Sequence, residues 1–232
     1  MKREGPLLFV HLPKTGGTSL GALFEAGMAQ DERVAVYGGE LRLTGPDKDF
    51  VRRTKGSLDQ LRLIYGHFSF GVHEILSTAP RYATILRDPV ARVVSLYRHL
   101  AREPGLPFHR RIAAGMGLEE WVAGGETEMT NNHACRVLSG TPPESRKFED
   151  SPAMLNLAKR NVERYFEFLG TMARFEDDVE NLCRTLGLNP MPIPQLNTGP
   201  AGDGPTAGEV EVLRRRNALD IELWEWARSS ES

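Results

Sequence analysis

The chain has 232 residues, 40% hydrophobic and 26% charged, a balance that excludes disordered and collagen-like classes. Its 29 basic and 31 acidic residues leave a net charge of −2, so the molecule as a whole attracts neither nucleic acid nor an anionic membrane, and any anion site is local. Cys135 and Cys183 stand far apart with no CxxC or His-rich partner, which supports neither a disulfide framework nor a zinc site.

The apolar run Leu7 to Leu12 contains His11 and is stopped by Pro13, too short for a signal segment or a membrane span. A cytoplasmic protein with one domain over 1–232 is expected. Leu7-Leu8-Phe9-Val10 lacks alternation, as a strand covered on both faces does. A glycine loop, Pro13 to Ser19, and a helix carrying Leu20, Leu23 and Phe24 follow. Residues 30 to 56 read as loop with a short strand near Val34 to Tyr37. Leu61 to Tyr65 and Tyr82 to Leu86 read as buried strands. The second runs into Asp88, a helix cap, and Pro89, which fits a first helical turn; that helix extends to about Arg102.

From Leu106 to Gly140 the pattern is helical in pieces, interrupted by Gly115, Gly117, Gly124 and Gly125. A helical lid or substrate-side insertion over about 106–150 is expected. Ser151-Pro152 opens a further helix, Phe166 to Leu169 reads as a strand, and Phe175 to Leu186 is amphipathic. A proline- and glycine-rich loop over 190 to 205 precedes a single final helix from Ala207 to Arg228, with Leu213, Leu219, Leu223, Trp224 and Ala227 as its buried set.

This alternation gives an α/β fold with a central, mostly parallel sheet of four to five strands flanked by helices. Ligands of such sheets bind beyond the carboxyl ends of the strands. Lys14, Thr15, Gly16, Gly17, Thr18 and Ser19 therefore form an anion cradle: the glycines let backbone amides turn toward the anion and the helix adds its positive N-terminus. The lysine precedes the glycines, so this is not the GxxxxGK[ST] pattern. Arg87 at a strand end can fork onto a second phosphate while Ser95, two helical turns on, donates a hydroxyl. His67, also at a strand end, suits a general base near neutral pH; His73 is its rival, and His11 and His99 read as structural. Arg87 to Arg111 holds six Arg against two acidic residues, which either faces an anionic acceptor or offsets bound phosphates. On residues alone, an ATP-dependent phosphotransferase and a non-catalytic nucleotide-binding protein remain open.

HLPKTGGTSL and ILRDPVARVVSLYRHL resemble the two cofactor motifs of sulfotransferases that use 3'-phosphoadenosine 5'-phosphosulfate. YGHFSFG resembles the catalytic segment of the heparan sulfate 2-O-sulfotransferase-like branch (sulfotransferase family 2). The resemblance implies a P-loop-like sulfotransferase fold and transfer of a sulfuryl group to a hydroxyl, on a carbohydrate or small-metabolite acceptor, with adenosine 3',5'-bisphosphate as product. No metal, nucleic acid or membrane is implied. Lys14 and the residues to Ser19 would hold the phosphosulfate, Lys14 also neutralising the leaving oxygen. Arg87 and Ser95 would hold the 3'-phosphate, His67 would be the base, and Asn197 and Thr198 would close over the nucleotide.

Overall fold

The computed structural model describes residues 5–37, 58–76, 78–79, 81–141, 151–189, 191–193 and 204–229. Five strands, β1 (Leu7–Val10), β2 (Arg33–Val36), β3 (Leu63–Gly66), β4 (Tyr82–Leu86) and β5 (Phe166–Thr171), make one sheet in the order β2-β3-β1-β4-β5. Every neighbouring pair is parallel. The chain starts at the centre, moves outward to β2, returns through β3, and crosses β1 to reach β4 and β5. The order reverses around β1, which puts the crevice of such a sheet at the carboxyl ends of β3, β1 and β4.

The helices are α1 (Gly17–Gly27), α2 (Pro89–Arg102), α3 (His109–Ala113), α4 (Leu118–Ala123), α5 (His133–Ser139), α6 (Pro152–Tyr165), α7 (Phe175–Thr185), α8 (Ala207–Arg216) and α9 (Ala218–Ser229). Both faces of the sheet are covered, which explains why β1 reads as an unbroken apolar run. Leu8 and Val10 face one core with Met154, Ala158 and Leu223. Leu7 and Phe9 face the other with Leu20, Phe24 and Leu182. All four β1 side chains are at most 1% exposed, and truncating one such Leu to Ala costs about 2–5 kcal/mol.

The segment expected as helical pieces forms α3 to α5. Ile112 and Trp121 pack with Val93, Leu96 and Leu100 of α2 and Leu213 of α8 as a third apolar cluster. The single final helix expected from Ala207 is instead two, parted at Asn217. That residue is fully buried, and its side-chain Nδ2 donates to the Leu213 and Thr130 carbonyls, both at 3.0 Å. The amide thus takes up the last carbonyls of α8 and turns the chain, an outcome decided by a tertiary partner that periodicity does not report. In the expected buried set, Leu213, Leu223 and Ala227 are buried, whereas Leu219 and Trp224 are only partly covered. No helix among the described residues is long and apolar enough to cross a membrane.

Candidate active site

Strand register assembles the site. Val10 pairs with Gly66, and Val36 pairs with the same Gly66, so the next residue of each chain segment, His11, His67 and Tyr37, falls in one row across β1, β3 and β2. Gly66 is needed at the junction because a Cβ there would lie 1.9 Å from the Val36 carbonyl oxygen. With that space free, the His67 amide donates to Val36 O at 2.8 Å and the His11 amide donates to Gly66 O at 2.9 Å. The side chains follow. The His11 and His67 rings stack with centroids 4.9 Å apart and planes at 27°, and Tyr37 meets His67 edge-on at 4.8 Å and 85°.

After β1 the chain turns through Lys14 (φ 73°) and Gly16 (φ 82°). This double left-handed turn delivers it to the start of α1, whose first amides have no intrahelical partner. Thr15 is buried and its hydroxyl donates to Leu12 O at 2.8 Å, so its side chain is committed to shaping the loop and its amide is what it offers an anion. Gly16 and Gly17 open the cradle, Thr18 is exposed at the helix start and Ser19 is buried. Lys14 is half-buried, and its pKa is lowered first by burial and then by the nearby Arg102 and Arg87, against the opposing charge of Glu103. Like charges crowded in this way favour a bound anion.

Arg87 follows β4 directly, and its Nη1 donates to the Lys14 carbonyl at 2.9 Å. Asp88 Oδ1 accepts from Ala91 N at 2.7 Å, so that carboxylate caps α2 and leaves the guanidinium fork to other partners. Ser95 lies on α2, half-buried. Asn197 and Thr198 lie outside the described residues.

Of the histidines, His67 keeps an exposed edge, and desolvation lowers its pKa below the ordinary value. His11 is lowered to about 3, by burial and then by His67 and Lys14. His133 on α5 is buried, and burial, Arg92 and His67 hold its pKa well below the ordinary value. The rival His73 is engaged elsewhere: its Nδ1 lies 2.9 Å from the Tyr82 hydroxyl and its ring stacks on Tyr165. His99 is close enough to Lys14 to feel its charge. Sequence reasoning assigned His11 no functional place and did not single out Tyr37. The signal that finds both is positional: each is the residue next after a strand paired to β3 in register. No group of three His, Cys, Asp or Glu that could hold a metal occurs among the described residues.

A left-handed loop carrying Lys14, a histidine of lowered pKa and an arginine thus stand together at the ends of adjacent parallel strands of an α/β sheet. The sulfotransferase family model matches residues 1–200, and the chain belongs to that family. It is similar to heparan-sulfate 6-O-sulfotransferase 2 of Gallus gallus, at 24% identity over 98% of this chain and 67% of that protein. It is also similar to the protein of the same name from Danio rerio, at 26% identity over 98% of this chain and 58% of that one, so it spans less than two thirds of the latter's length. Among solved structures it is similar to mouse sulfotransferase SULT7A1 complexed with PAP, at 15% identity and a TM-score of 0.46, covering 95% of this chain and 67% of the other. The protein is a sulfotransferase, an enzyme that moves a sulfuryl group from a donor to an acceptor.

Proposed function

We propose that the donor is 3'-phosphoadenosine 5'-phosphosulfate, that the acceptor is a carbohydrate hydroxyl, and that His67, Lys14, Arg87 and the 14–19 loop carry the reaction. The observation that carries this reading is that His67, Lys14 and Arg87 follow the ends of the neighbouring parallel strands β3, β1 and β4, with Arg102 at the end of α2 adding its charge near Lys14. The donor fits these residues: the Lys14–Gly16 turn and the α1 N-terminus suit its 5'-phosphosulfate. Arg87, just after β4, with Ser95 on the helix that follows, suits the 3'-phosphate. Bound there, the donor supplies the sulfuryl group, whose sulfur gains a bond to the acceptor oxygen as its bond to the phosphate oxygen breaks.

His67 takes the acceptor hydroxyl's proton on a ring nitrogen, which its lowered pKa leaves unprotonated at neutral pH. Lys14 offsets the charge left on the phosphate oxygen. The backbone turn keeps the phosphosulfate in line, so that positioning and charge stabilisation supply most of the rate. The names of the two similar curated proteins support a polysaccharide acceptor, and the unpaired thiols of Cys135 and Cys183 support a cytoplasmic setting.

The test is transfer of radiolabelled sulfate from the donor to de-O-sulfated heparin, a neutral polysaccharide and an aryl alcohol. Turnover on a polysaccharide, reduced about 10²–10⁴-fold in His67→Ala with unchanged affinity for adenosine 3',5'-bisphosphate, is expected. Turnover on the aryl alcohol alone would remove the carbohydrate acceptor, and a fully active His67→Ala would remove the base.

A further inference from the structure

We propose that His11 is a positioning residue for His67: stacked on it, backed by the Gly17 turn and bridged to Tyr37, it fixes the orientation of the base. This rests on the reading of His67 as the general base. His67 projects from the end of a strand with one edge in solvent, and no hydrogen bond from a described residue to its ring nitrogens is seen in the structure. Such a side chain ordinarily samples more than one rotamer, because little confines its outer torsion. Here confinement comes from two flat neighbours placed by strand register, His11 face-on at 4.9 Å and Tyr37 edge-on at 4.8 Å.

His11 is itself fixed on three sides. Its amide is held by Gly66 O, its Nδ1 lies 3.4 Å from the Tyr37 hydroxyl, and its outer edge presses on Gly17, where a Cβ would come within 2.0 Å of Cε1 and 2.1 Å of Nε2. Its Nε2 is closed to solvent with no hydrogen-bond partner among the described residues. A buried imidazole nitrogen left unsatisfied is costly and calls for an explanation. A plane that must fit between the anion loop and the base supplies one. A neutral ring in that place also adds no charge beside His67, whose other neighbours are Tyr37 from β2 and His133 from α5, while Lys14 of the β1 loop acts on His11 itself. The same ring touches the loop that holds the donor, so the base and the donor site share one rigid spacer.

Two substitutions separate flatness from hydrogen bonding. His11→Phe keeps a ring face and loses both nitrogens; His11→Asn keeps a polar atom near Nδ1 and loses the face. Transfer of labelled sulfate to de-O-sulfated heparin is measured against pH, alongside carbon-13 NMR of the His67 ring in enzyme bound to adenosine 3',5'-bisphosphate. The proposal expects His11→Asn to lose about 10- to 100-fold in kcat from misplacement of the base. Its donor KM should move by less than about threefold, its His67 resonances should lose their ring-current shift, and its acid limb should move up toward the ordinary histidine value as water reaches the ring. His11→Phe should retain the shift and lose less kcat than His11→Asn. A kcat for His11→Asn equal to or above that of His11→Phe, or a loss confined to donor KM, overturns the proposal while leaving His67 as base. Full activity in His67→Ala overturns the base reading and this proposal with it. If His11→Asn does not fold, Tyr37→Phe decides: it removes one hydroxyl from a ring that is 43% exposed, a smaller kcat loss of the same kind is expected, and an unchanged kcat overturns the proposal.

Discussion

Arg87 donates through Nη1 to the carbonyl oxygen of Lys14 at 2.9 Å, which ties the end of β4 to the loop after β1. One guanidinium arm therefore supports the cradle while the rest of the fork remains to meet an anion. Arg87→Ala removes both functions. A charge-assisted hydrogen bond of about 1.5–3 kcal/mol corresponds to about a 10- to 150-fold loss for adenosine 3',5'-bisphosphate. ADP, which lacks the 3'-phosphate, should weaken by only about fivefold, the share owed to loop support. Calorimetry with the two nucleotides checks this, and equal losses would leave Arg87 as a loop support with no part in 3'-phosphate recognition.

Gly17 is the tightest point of the cradle. An added methyl group would overlap the His11 ring at 2.0–2.1 Å, so Gly17→Ala must displace either the start of α1 or His11. Overpacking of this kind costs about 1–3 kcal/mol in stability. Both displacements damage function, the first through donor affinity and the second through kcat. Steady-state kinetics of a variant that retains its fold should show a loss of at least about tenfold in kcat/KM for the donor; an unimpaired enzyme would mean that the ring and the turn separate without consequence.

Much of this was legible in the chain because the relevant signals are local. Leu7–Val10 and Tyr82–Leu86 are apolar runs without alternation, Asp88-Pro89 is a cap followed by a first-turn proline, and each is followed by the loop that a parallel sheet places at its ligand end. The lysine and arginine proposed here to hold the anion could be named from those positions alone. What was not legible depends on which strands are neighbours. His11 reads as a structural residue until β1 is known to lie beside β3 in the register Val10 to Gly66, and Tyr37 reads as a strand-end aromatic until β2 is placed on the far side. The break at Asn217 has the same origin: its amide answers to Thr130, 87 residues away.

The histidines make stability pH-dependent in a defined direction. His11 is lowered to about 3, and His133 lies well below its ordinary value, so between those values and about 6.5 the unfolded chain binds protons that the folded chain refuses. Stability is then fully present above about pH 6.5 and falls as pH falls below it. At about 1.4 kcal/mol per unit, His11 alone removes on the order of 2 kcal/mol by pH 5. Thermal unfolding between pH 7 and pH 5 should show a falling Tm whose slope shrinks in His11→Phe. A flat profile in the native enzyme would mean that His11 accepts a proton without unfolding the site.

Asp220 and Asn132 cap each other's helices. The Asp220 carboxylate accepts from the Ala134 amide at 2.9 Å and the Cys135 amide at 2.8 Å at the start of α5. Asn132 Oδ1 in return accepts from the Leu219 amide of α9 at 3.0 Å. Asp220 is 2% exposed and its charge favours the charged form of the buried Arg92. The Nη2 of Arg92 donates to Met129 O at 2.7 Å, while its Nε and Nη1 have no partner among the described residues. Asp220→Ala strips two buried amides of their acceptor and leaves Arg92 without that opposing charge, a cost of about 3–5 kcal/mol. At about 2–4 °C per kcal/mol for a chain of this size, Tm should fall by roughly 6–20 °C. Because the damage is largely an uncompensated buried charge, adding Arg92→Met to Asp220→Ala should recover part of the loss. A double variant less stable than Asp220→Ala would show instead that the caps alone hold α5 and α9 together and that the arginine carries no penalty.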